Sequence, residues 1–441
     1  MRESIRARIR QWTGVAASPS PVAPPSTWSG YTSDAMQLAA IINCTHEQLG
    51  ARQQHPERVA PKVADRVCNW YLPAFDNPFY GGVMTILRLA ETLQRQFGLR
   101  QRFLICGSAN AANMQAQLGR AFPTLGDAEV LVLDTVEALE NIPASDYSVA
   151  TLWTTAYVLL AVKNTGLKFY MIQDFEPAFY PAGSTYAQAE LSYQFGFYGI
   201  CNTQTLKQIY ETEYGGCGVV LQPSIDPTVF FGADQPRPDG PKRVFYYARP
   251  GTPRNGFELA AAALKQVKAK HGDAVDIVCA GTGWNPEEFG LGGVVRTLGM
   301  LPYAETGDLY RSCHVGFVMM MTKHPSYLPF ELMACGATVV TNYNPANAWL
   351  LKDGENCLLS PPSASCLADT LSYALDRHEA LAPVRSAAAA HVSQSLKGWD
   401  ASLRDVAEFM LHPPEAFQGR APFARRFVAP CSSTPGENHN G

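Results

Sequence analysis

This chain of 441 residues lacks the patterns that mark several classes of protein. Its 11 cysteines include no C-x-x-C pair and its 9 histidines no H-x-x-x-H pair, which argues against a metal site. An odd, scattered set of cysteines also argues against a disulfide framework and favours a reducing compartment. We therefore expect a cytoplasmic protein without a bound metal.

Charge and long hydrophobic runs are also scarce. Charged residues make up 17% of the chain and the formal net charge is -4, so nothing in the overall charge favours nucleic acid as a partner. The most apolar run, 149–162, is too short to span a bilayer. The first twelve residues carry four arginines but no apolar segment of a secretory signal follows. This arm is either solvated or in peripheral contact with the inner membrane.

What the chain has is the composition of a large globular protein. Hydrophobic residues reach 46%, enough for a sizeable core, and the length suggests two or three domains at roughly 100–200 residues each. Strand-like segments alternate with segments of helical period, as in 66–72 followed by 83–97. A stretch rich in Pro, Gly and Asp near 227–241 separates two such sets. The pattern predicts two α/β domains with doubly wound parallel sheets and a ligand cleft between them.

The stretch 323–336 indicates a loop that leads into a helix. Pro329 suits a first helical position, and Glu331 then lies in the first turn, where the helix dipole favours a carboxylate. Free N–H groups at a helix start bind anions, and Ser326 and Tyr327 precede the same point. A sugar nucleotide fits this pattern, with its diphosphate on the N–H groups and its ribose on Glu331. The alternative is a surface helix that begins at Pro329 and is capped by Glu331.

Other candidate residues follow predicted strands, at the edge where open α/β sheets bind their ligands. They are Gly81 and Gly82, then Trp153-Thr154-Thr155, then Asp174-Phe175-Glu176. Gly81 and Gly82 either let the backbone approach a ligand or form a plain tight turn. Arg249 and Arg254 flank a strand-to-helix loop, where they are either phosphate ligands or exposed loop residues.

Taken as a set, these motifs resemble the GT-B glycosyltransferases of family GT4, and within it the bacterial rhamnosyltransferases of the WsaF type. The resemblance covers roughly residues 65 to 395. The motifs that carry it are Phe79-Tyr80-Gly81-Gly82, Gln173-Asp174-Phe175-Glu176-Pro177, Ala248-Arg249-Pro250-x-x-Pro253-Arg254-Asn255 and His324-Pro325-Ser326-Tyr327-x-Pro329-x-Glu331. It implies a GT-B fold, in which two Rossmann-like doubly wound domains face each other across a cleft.

Composition, the linker and the resemblance together predict a division of the chain. Residues 1–60 form a partly disordered Arg- and Pro-rich arm, and 61–230 the N-terminal domain on the acceptor side. Residues 231–395 form the C-terminal domain that binds the nucleotide sugar. Residues 396–415 form a helix that packs back on the N-terminal domain, and 416–441 a tail.

Roles for individual residues follow from the resemblance in the same way. The donor-binding residues are Gly81, Gly82, Arg249, Arg254, His324, Pro325, Ser326, Tyr327 and Glu331. Asp174 and Glu176 are catalytic, and Trp153, Thr154 and Thr155 lie on the acceptor side. The chain departs from the family at two positions, since Lys323 stands eight residues before Glu331 where a second glutamate is common, and Asn255 replaces a lysine. The second phosphate-binding cation is therefore either Arg254 or Lys323.

The activity implied is metal-independent transfer of rhamnose from dTDP-rhamnose, with retention, to a saccharide or lipid-linked glycan acceptor in cell-surface polysaccharide synthesis. No cofactor is implied. Two alternatives remain open, a GT-B sugar-nucleotide epimerase and a non-catalytic sugar-nucleotide-binding scaffold.

Overall fold

A computed structural model describes residues 30–53, 66–232, 237, 240–396 and 398–414. Two parallel sheets with helices on both faces form the protein. The predicted arm and tail fall largely outside the described residues.

The first sheet has seven strands in the order β3-β2-β1-β4-β5-β6-β7, and every pairing is parallel. Its strands and helices, with two preceding helices, are α1 (Gly30–Ile41), α2 (His46–Gln53), β1 (Val67–Pro73), α3 (Gly81–Phe97), β2 (Arg100–Cys106), α4 (Ala111–Ala121), β3 (Glu129–Leu133), α5 (Val136–Glu140), β4 (Ser145–Ala150), α6 (Trp153–Ala161), β5 (Thr165–Ile172), α7 (Ser184–Ser192), β6 (Tyr198–Cys201), α8 (Gln204–Tyr214) and β7 (Cys217–Val220).

The second sheet has six strands in the order β10-β9-β8-β11-β12-β13, again all parallel. Its elements are β8 (Lys242–Tyr247), α9 (Phe257–His271), β9 (Val275–Ala280), β10 (Arg296–Thr297), α10 (Tyr303–Ser312), β11 (Val315–Val318), α11 (Leu328–Ala334), β12 (Thr338–Asn342), β13 (Leu358–Ser360), α12 (Ala364–Asp376) and α13 (Ala382–Ser395). The two doubly wound parallel sheets predicted from the sequence are thereby confirmed.

Burial explains why these segments form these elements. Six of the seven residues of β1 are buried, as expected for a parallel strand covered on both faces. In α3, Ile86, Leu87, Ala90 and Leu93 are buried at helical spacing, and the helix ends at Gly98 with a φ of 67°. Both strand and helix therefore have one stable position, which fixes the loop between them at the cleft.

The last helix, α14 (Trp399–Leu411), packs on the first domain rather than the second. Leu403, Val406, Ala407 and Met410 belong to the same buried cluster as residues of β1 and α3. The chain thus crosses between the domains twice, once between β7 and β8 and once between α13 and α14. Among the described residues, no helix is both long and apolar enough to cross a membrane.

Candidate functional site

A cavity of about 360 Å³ lies between the carboxyl ends of the two sheets. Nine of the fourteen residues predicted from the sequence line it: Gly81, Gly82, Asp174, Glu176, Arg249, Arg254, His324, Ser326 and Tyr327. They follow the ends of four separate strands and meet because parallel strands end at one edge. The cleft is the place where the predicted chemistry can occur.

Two cations enter the cavity from the second domain. Arg249 follows β8, and Arg254 lies in a short 3-10 turn before α9. Each guanidinium lies over an aromatic ring of the first domain, Arg249 5.9 Å from the centre of Tyr80 and Arg254 4.3 Å from that of Phe179. Within the described part of the chain, neither forms an ion pair with a carboxylate. Their charges are therefore available to an anion.

Opposite these cations lies the first turn of α3. Its first internal hydrogen bond runs from Met84 N–H to the Tyr80 carbonyl, 2.8 Å long, so the N–H groups of Gly81 and Gly82 precede the hydrogen-bonded part of the helix. A side chain at Gly81 would be crowded, since its Cβ would lie 3.2 Å from Tyr327 Cδ2. The turn thus offers backbone donors and the positive end of a 17-residue helix.

Asp174 and Glu176 follow β5 and are held by fixed donors. Asp174 Oδ2 accepts from the Thr322 hydroxyl at 2.7 Å, which links the two domains, and Oδ1 accepts from Phe175 N–H. Glu176 Oε2 accepts from Trp153 N–H at 2.6 Å and from the Tyr170 hydroxyl at 3.0 Å. Burial raises the pKa of Asp174 to about 6 and that of Glu176 to about 8. At neutral pH Asp174 is mainly ionised, whereas Glu176 is mainly protonated and able to donate a hydrogen bond.

The loop between β11 and α11 has a strained backbone. Ser326 has a φ of 60°, the left-handed region, and no other non-glycine residue of the described ranges has a positive φ. Its N–H donates to His324 Nδ1 at 3.0 Å, so the neutral ring carries its proton on Nε2. Burial lowers the pKa of His324 to about 4, which keeps the ring neutral at physiological pH. His324 therefore contributes hydrogen bonds and shape to the cavity, and no positive charge.

Tyr327 joins the two domains through its hydroxyl. That hydroxyl lies 3.0 Å from the Thr85 hydroxyl in α3 and 2.9 Å from Asn202 Nδ2 after β6. Thr85 in turn donates to the Gly81 carbonyl at 2.8 Å. One side chain of the loop thereby sets the distance between α3 and the second domain.

Glu331 lies away from this cavity, behind a second pocket of about 120 Å³ next to it. That pocket is lined by Phe79 and Tyr80 from one domain and by Gly281, Met300 and Tyr303 from the other. Burial raises the pKa of the Tyr303 and Tyr310 hydroxyls, and the nearby carboxylate of Glu331 raises both further. Burial raises the pKa of Glu331 itself to about 8.

Four further residues that were predicted to belong to the site do not line the cavity. Trp153 and Thr155 are almost fully buried, because they begin α6: Trp153 Nε1 donates to the Tyr180 hydroxyl, and the Thr155 hydroxyl accepts from Thr151 and Leu152 N–H. Thr154 and Pro325 are also absent from the cavity lining. As a correction, Thr151 and Leu152, just before these residues, face the cleft instead.

The helix expected to begin at Pro329 begins one residue earlier and has only seven residues, Leu328–Ala334. Its short length makes it a weaker anion site than predicted. Lys323 is exposed and does not line the cavity, whereas Arg254 does. Of the two candidates for the second cation, Arg254 is the one that the geometry favours.

Several residues of the cleft received no role from the sequence. Asn202, Thr322 and Gln173 line the cavity, and the first two bond across the domains. The sequence carried one indication of their position at the cleft, because each lies within four residues of the end of a strand. Nothing in the sequence alone separates such residues from those that turn into the core.

Models of two domain families match the chain, and both carry the description WsaF. The model of the WsaF N-terminal domain matches residues 68–204, and that of the WsaF C-terminal domain matches residues 242–372. Together they cover more than half of the chain.

A curated relative, the O-antigen biosynthesis protein RfbC of Myxococcus xanthus, is 43% identical over 358 residues. The match covers 80% of this chain, but this chain spans only 28% of the length of RfbC.

Solved structures with the same fold include HepE of Anabaena, in complex with UDP and glucose, at a TM-score of 0.61 and 16% identity. The match covers 78% of this chain and 99% of HepE. WaaG, a glycosyltransferase involved in lipopolysaccharide biosynthesis, matches at a TM-score of 0.57 and 14% identity over 78% of this chain and all of WaaG. At such identities the likeness concerns the fold alone.

Proposed function

This chain belongs to the WsaF family of GT-B glycosyltransferases, and from that premise we propose that it transfers rhamnose from dTDP-rhamnose to a saccharide acceptor. The transfer retains the configuration at the anomeric carbon and uses no metal. The acceptor is a saccharide or a lipid-linked glycan of a cell-surface polysaccharide. The name of RfbC, an O-antigen biosynthesis protein, supports this context.

The observation that carries the proposal is the pairing of Arg249 and Arg254 with the first turn of α3. A diphosphate in the cleft would have guanidinium groups on one side and the N–H groups of Gly81 and Gly82 on the other. Arginine binds phosphate oxygens in a bidentate manner, and a helix start adds favourable dipoles. Stabilising the departing diphosphate in this way supplies what a metal ion supplies in other transferases.

The smaller pocket fits the nucleoside of the donor. It adjoins the main cavity through Tyr247, which lines both. Tyr80, Tyr303 and Met300 provide aromatic and apolar surface for a flat base. Glu331 of α11 lies behind Tyr303, next to this pocket, and in this proposal its carboxylate holds the ribose.

The proposed chemistry occurs where the sugar of the donor meets the acceptor. The bond from the anomeric carbon to the diphosphate breaks, and the acceptor oxygen forms its bond on the same face. The departing phosphate oxygen takes the proton of the acceptor hydroxyl. Asp174, ionised above a pH of about 6, accepts a hydrogen bond from the acceptor, and protonated Glu176 donates one to the sugar.

The reaction would take place in the cytoplasm, at the cytoplasmic face of the inner membrane when the acceptor is lipid-linked. Peripheral contact with that membrane is part of the proposal.

The test is to incubate the purified protein with dTDP-rhamnose, with and without a saccharide acceptor, in the presence of EDTA. NMR of the product gives the anomeric configuration, and we expect a retained linkage only when acceptor is present. Conversion of the donor alone into another sugar nucleotide would identify an epimerase. Binding of the donor without either reaction, across a panel of acceptors, would identify a scaffold.

A further inference from the structure

Gln173 directly follows β5, next to Asp174, and lines the cleft. Its strand is buried on both sides, with Phe169, Tyr170, Met171 and Ile172 all fully enclosed, so the position of its backbone is fixed. The side chain therefore extends into the cavity from a rigid backbone, and such a support positions a ligand-binding residue precisely.

The two atoms of the Gln173 amide have different environments. The oxygen, Oε1, is buried and has no hydrogen-bond partner among the described residues. It lies over the first turn of α3, where a Cβ on Gly82 would be 3.4 Å from Oε1 and 3.5 Å from Nε2. The nitrogen, Nε2, makes no hydrogen bond within the described ranges and is not among their buried unpaired atoms. We conclude that Nε2 faces the open cleft as a free donor.

A buried carbonyl without a partner costs stability, and an apolar side chain of the same length would avoid that cost. Native proteins keep few such groups, and those that remain call for an explanation. We attribute the unpaired Oε1 to a ligand group that binds the amide, since a half-turn of the terminal amide exchanges Oε1 and Nε2 and presents the oxygen to the cleft. A neutral amide is suited to a sugar hydroxyl, which both donates and accepts, whereas the phosphates have arginines available.

We propose that Gln173 is a specificity-determining residue that hydrogen-bonds one hydroxyl of the hexose being transferred. This inference depends on the proposed function above. The hexose is favoured over the acceptor because the amide lies against Gly82, in the turn that faces the two arginines. The diphosphate of a sugar nucleotide joins the hexose to the nucleoside, and the nucleoside is assigned above to the smaller pocket, which Gln173 does not line, so the hexose is the group left beside this amide.

The test compares the wild type with Gln173→Met, which keeps the length of the side chain but removes both polar atoms. Transfer rates are measured with dTDP-rhamnose and with its monodeoxy analogues, each lacking one hydroxyl. We expect the wild type to discriminate against one analogue by roughly 10-fold or more, and Gln173→Met to lose that discrimination while its kcat/KM for dTDP-rhamnose falls by a similar factor. Thermal unfolding of the ligand-free variant should occur at the same or a higher temperature.

Gln194→Met is the matched control, because Gln194 also has a buried Oε1 without a partner but lies outside the cleft. It should keep the wild-type donor preference. Equal loss of rate with every analogue, together with a lowered unfolding temperature, would show that Gln173 is structural and overturn the inference. A change confined to the KM of the acceptor would overturn the assignment to the hexose. Both outcomes leave transfer by the wild type intact, so they are distinct from a failure of the proposed function.

Discussion

Replacing Arg254 with alanine separates donor binding from stability more cleanly than any other single change in the cleft. The guanidinium lies over Phe179 at 4.3 Å, lines the cavity and pairs with no carboxylate in the described part of the chain. Burial lowers its pKa, and neighbouring Arg249 lowers it further, while Asp174 opposes both effects. Arg254 is thus a partly desolvated positive charge, and we expect its partner to be an anionic group of the ligand.

The size of the effect follows from simple electrostatics. Two unit charges about 4 Å apart, at an effective dielectric constant of about 20, attract by about 4 kcal/mol. Desolvation reduces this, and charge-assisted hydrogen bonds contribute about 1.5–3 kcal/mol net. Donor affinity should therefore fall by roughly 10- to 150-fold. The variant also loses the contact with Phe179, worth about 0.5–2 kcal/mol, but it relieves repulsion from Arg249, so the free energy of unfolding should fall by less than about 1 kcal/mol.

The assay is calorimetric titration with dTDP-rhamnose, together with urea unfolding of the ligand-free protein. Arg311→Ala is the matched control, since Arg311 also stacks closely on a ring, 3.9 Å from the centre of Phe231, but lies outside the cleft. Arg311 pairs with Asp308 and donates to the Val229 carbonyl, so its removal should lower stability and spare donor affinity. An Arg254→Ala variant with wild-type affinity would refute the assignment of this residue to the diphosphate.

Two further predictions concern the same cleft. Arg249→Ala should weaken donor binding by a similar factor, whereas Lys323→Ala, which removes an exposed charge outside the cavity, should leave the Kd within about twofold; the reverse order would make Lys323 the second phosphate ligand. Thr322→Val removes a hydrogen bond that lowers the pKa of Asp174, so the acidic limb of the kcat/KM profile should move above a pH of about 6, and Thr322→Ser should restore it. The pKa of folded Asp174 lies above its ordinary 3.8, so its ionisation between pH of about 4 and about 6 should lower the stability of the wild type while raising its activity. An unchanged acidic limb in Thr322→Val would argue against a role for Asp174.

The fold could be predicted because its signals are local. Buried parallel strands are continuous apolar runs, and helices such as α3 show their period over four or five turns. The alternation of the two specifies doubly wound sheets, and such sheets place their ligands at one edge. These rules were enough to bring Gly81, Gly82, Asp174, Glu176 and the two arginines to one cleft.

The orientation of individual side chains could not be predicted in the same way. Thr151 and Thr155 are four residues apart on one segment, yet Thr151 lines the cavity, whereas the Thr155 hydroxyl accepts from the N–H groups of the two residues just before α6. The difference depends on where the helix begins, and a helix start is uncertain by a residue or two from sequence alone. Trp153 shows the same effect, since its indole turns into the core to meet Tyr180.

The loop 323–327 illustrates the deeper reason. Its sequence indicated a helix start that binds an anion, but α11 has only seven residues and Glu331 does not line the cavity. The loop contributes instead through Tyr327, which bonds to Thr85 and Asn202, 242 and 125 residues away in the chain. Thr322, just before the loop, likewise bonds to Asp174 across 148 residues. No local pattern encodes such contacts, because they join residues of two domains that are far apart in the chain. Ser326, with its left-handed φ, lies between Thr322 and Tyr327, so the strained part of the loop is held on both sides by hydrogen bonds to the first domain.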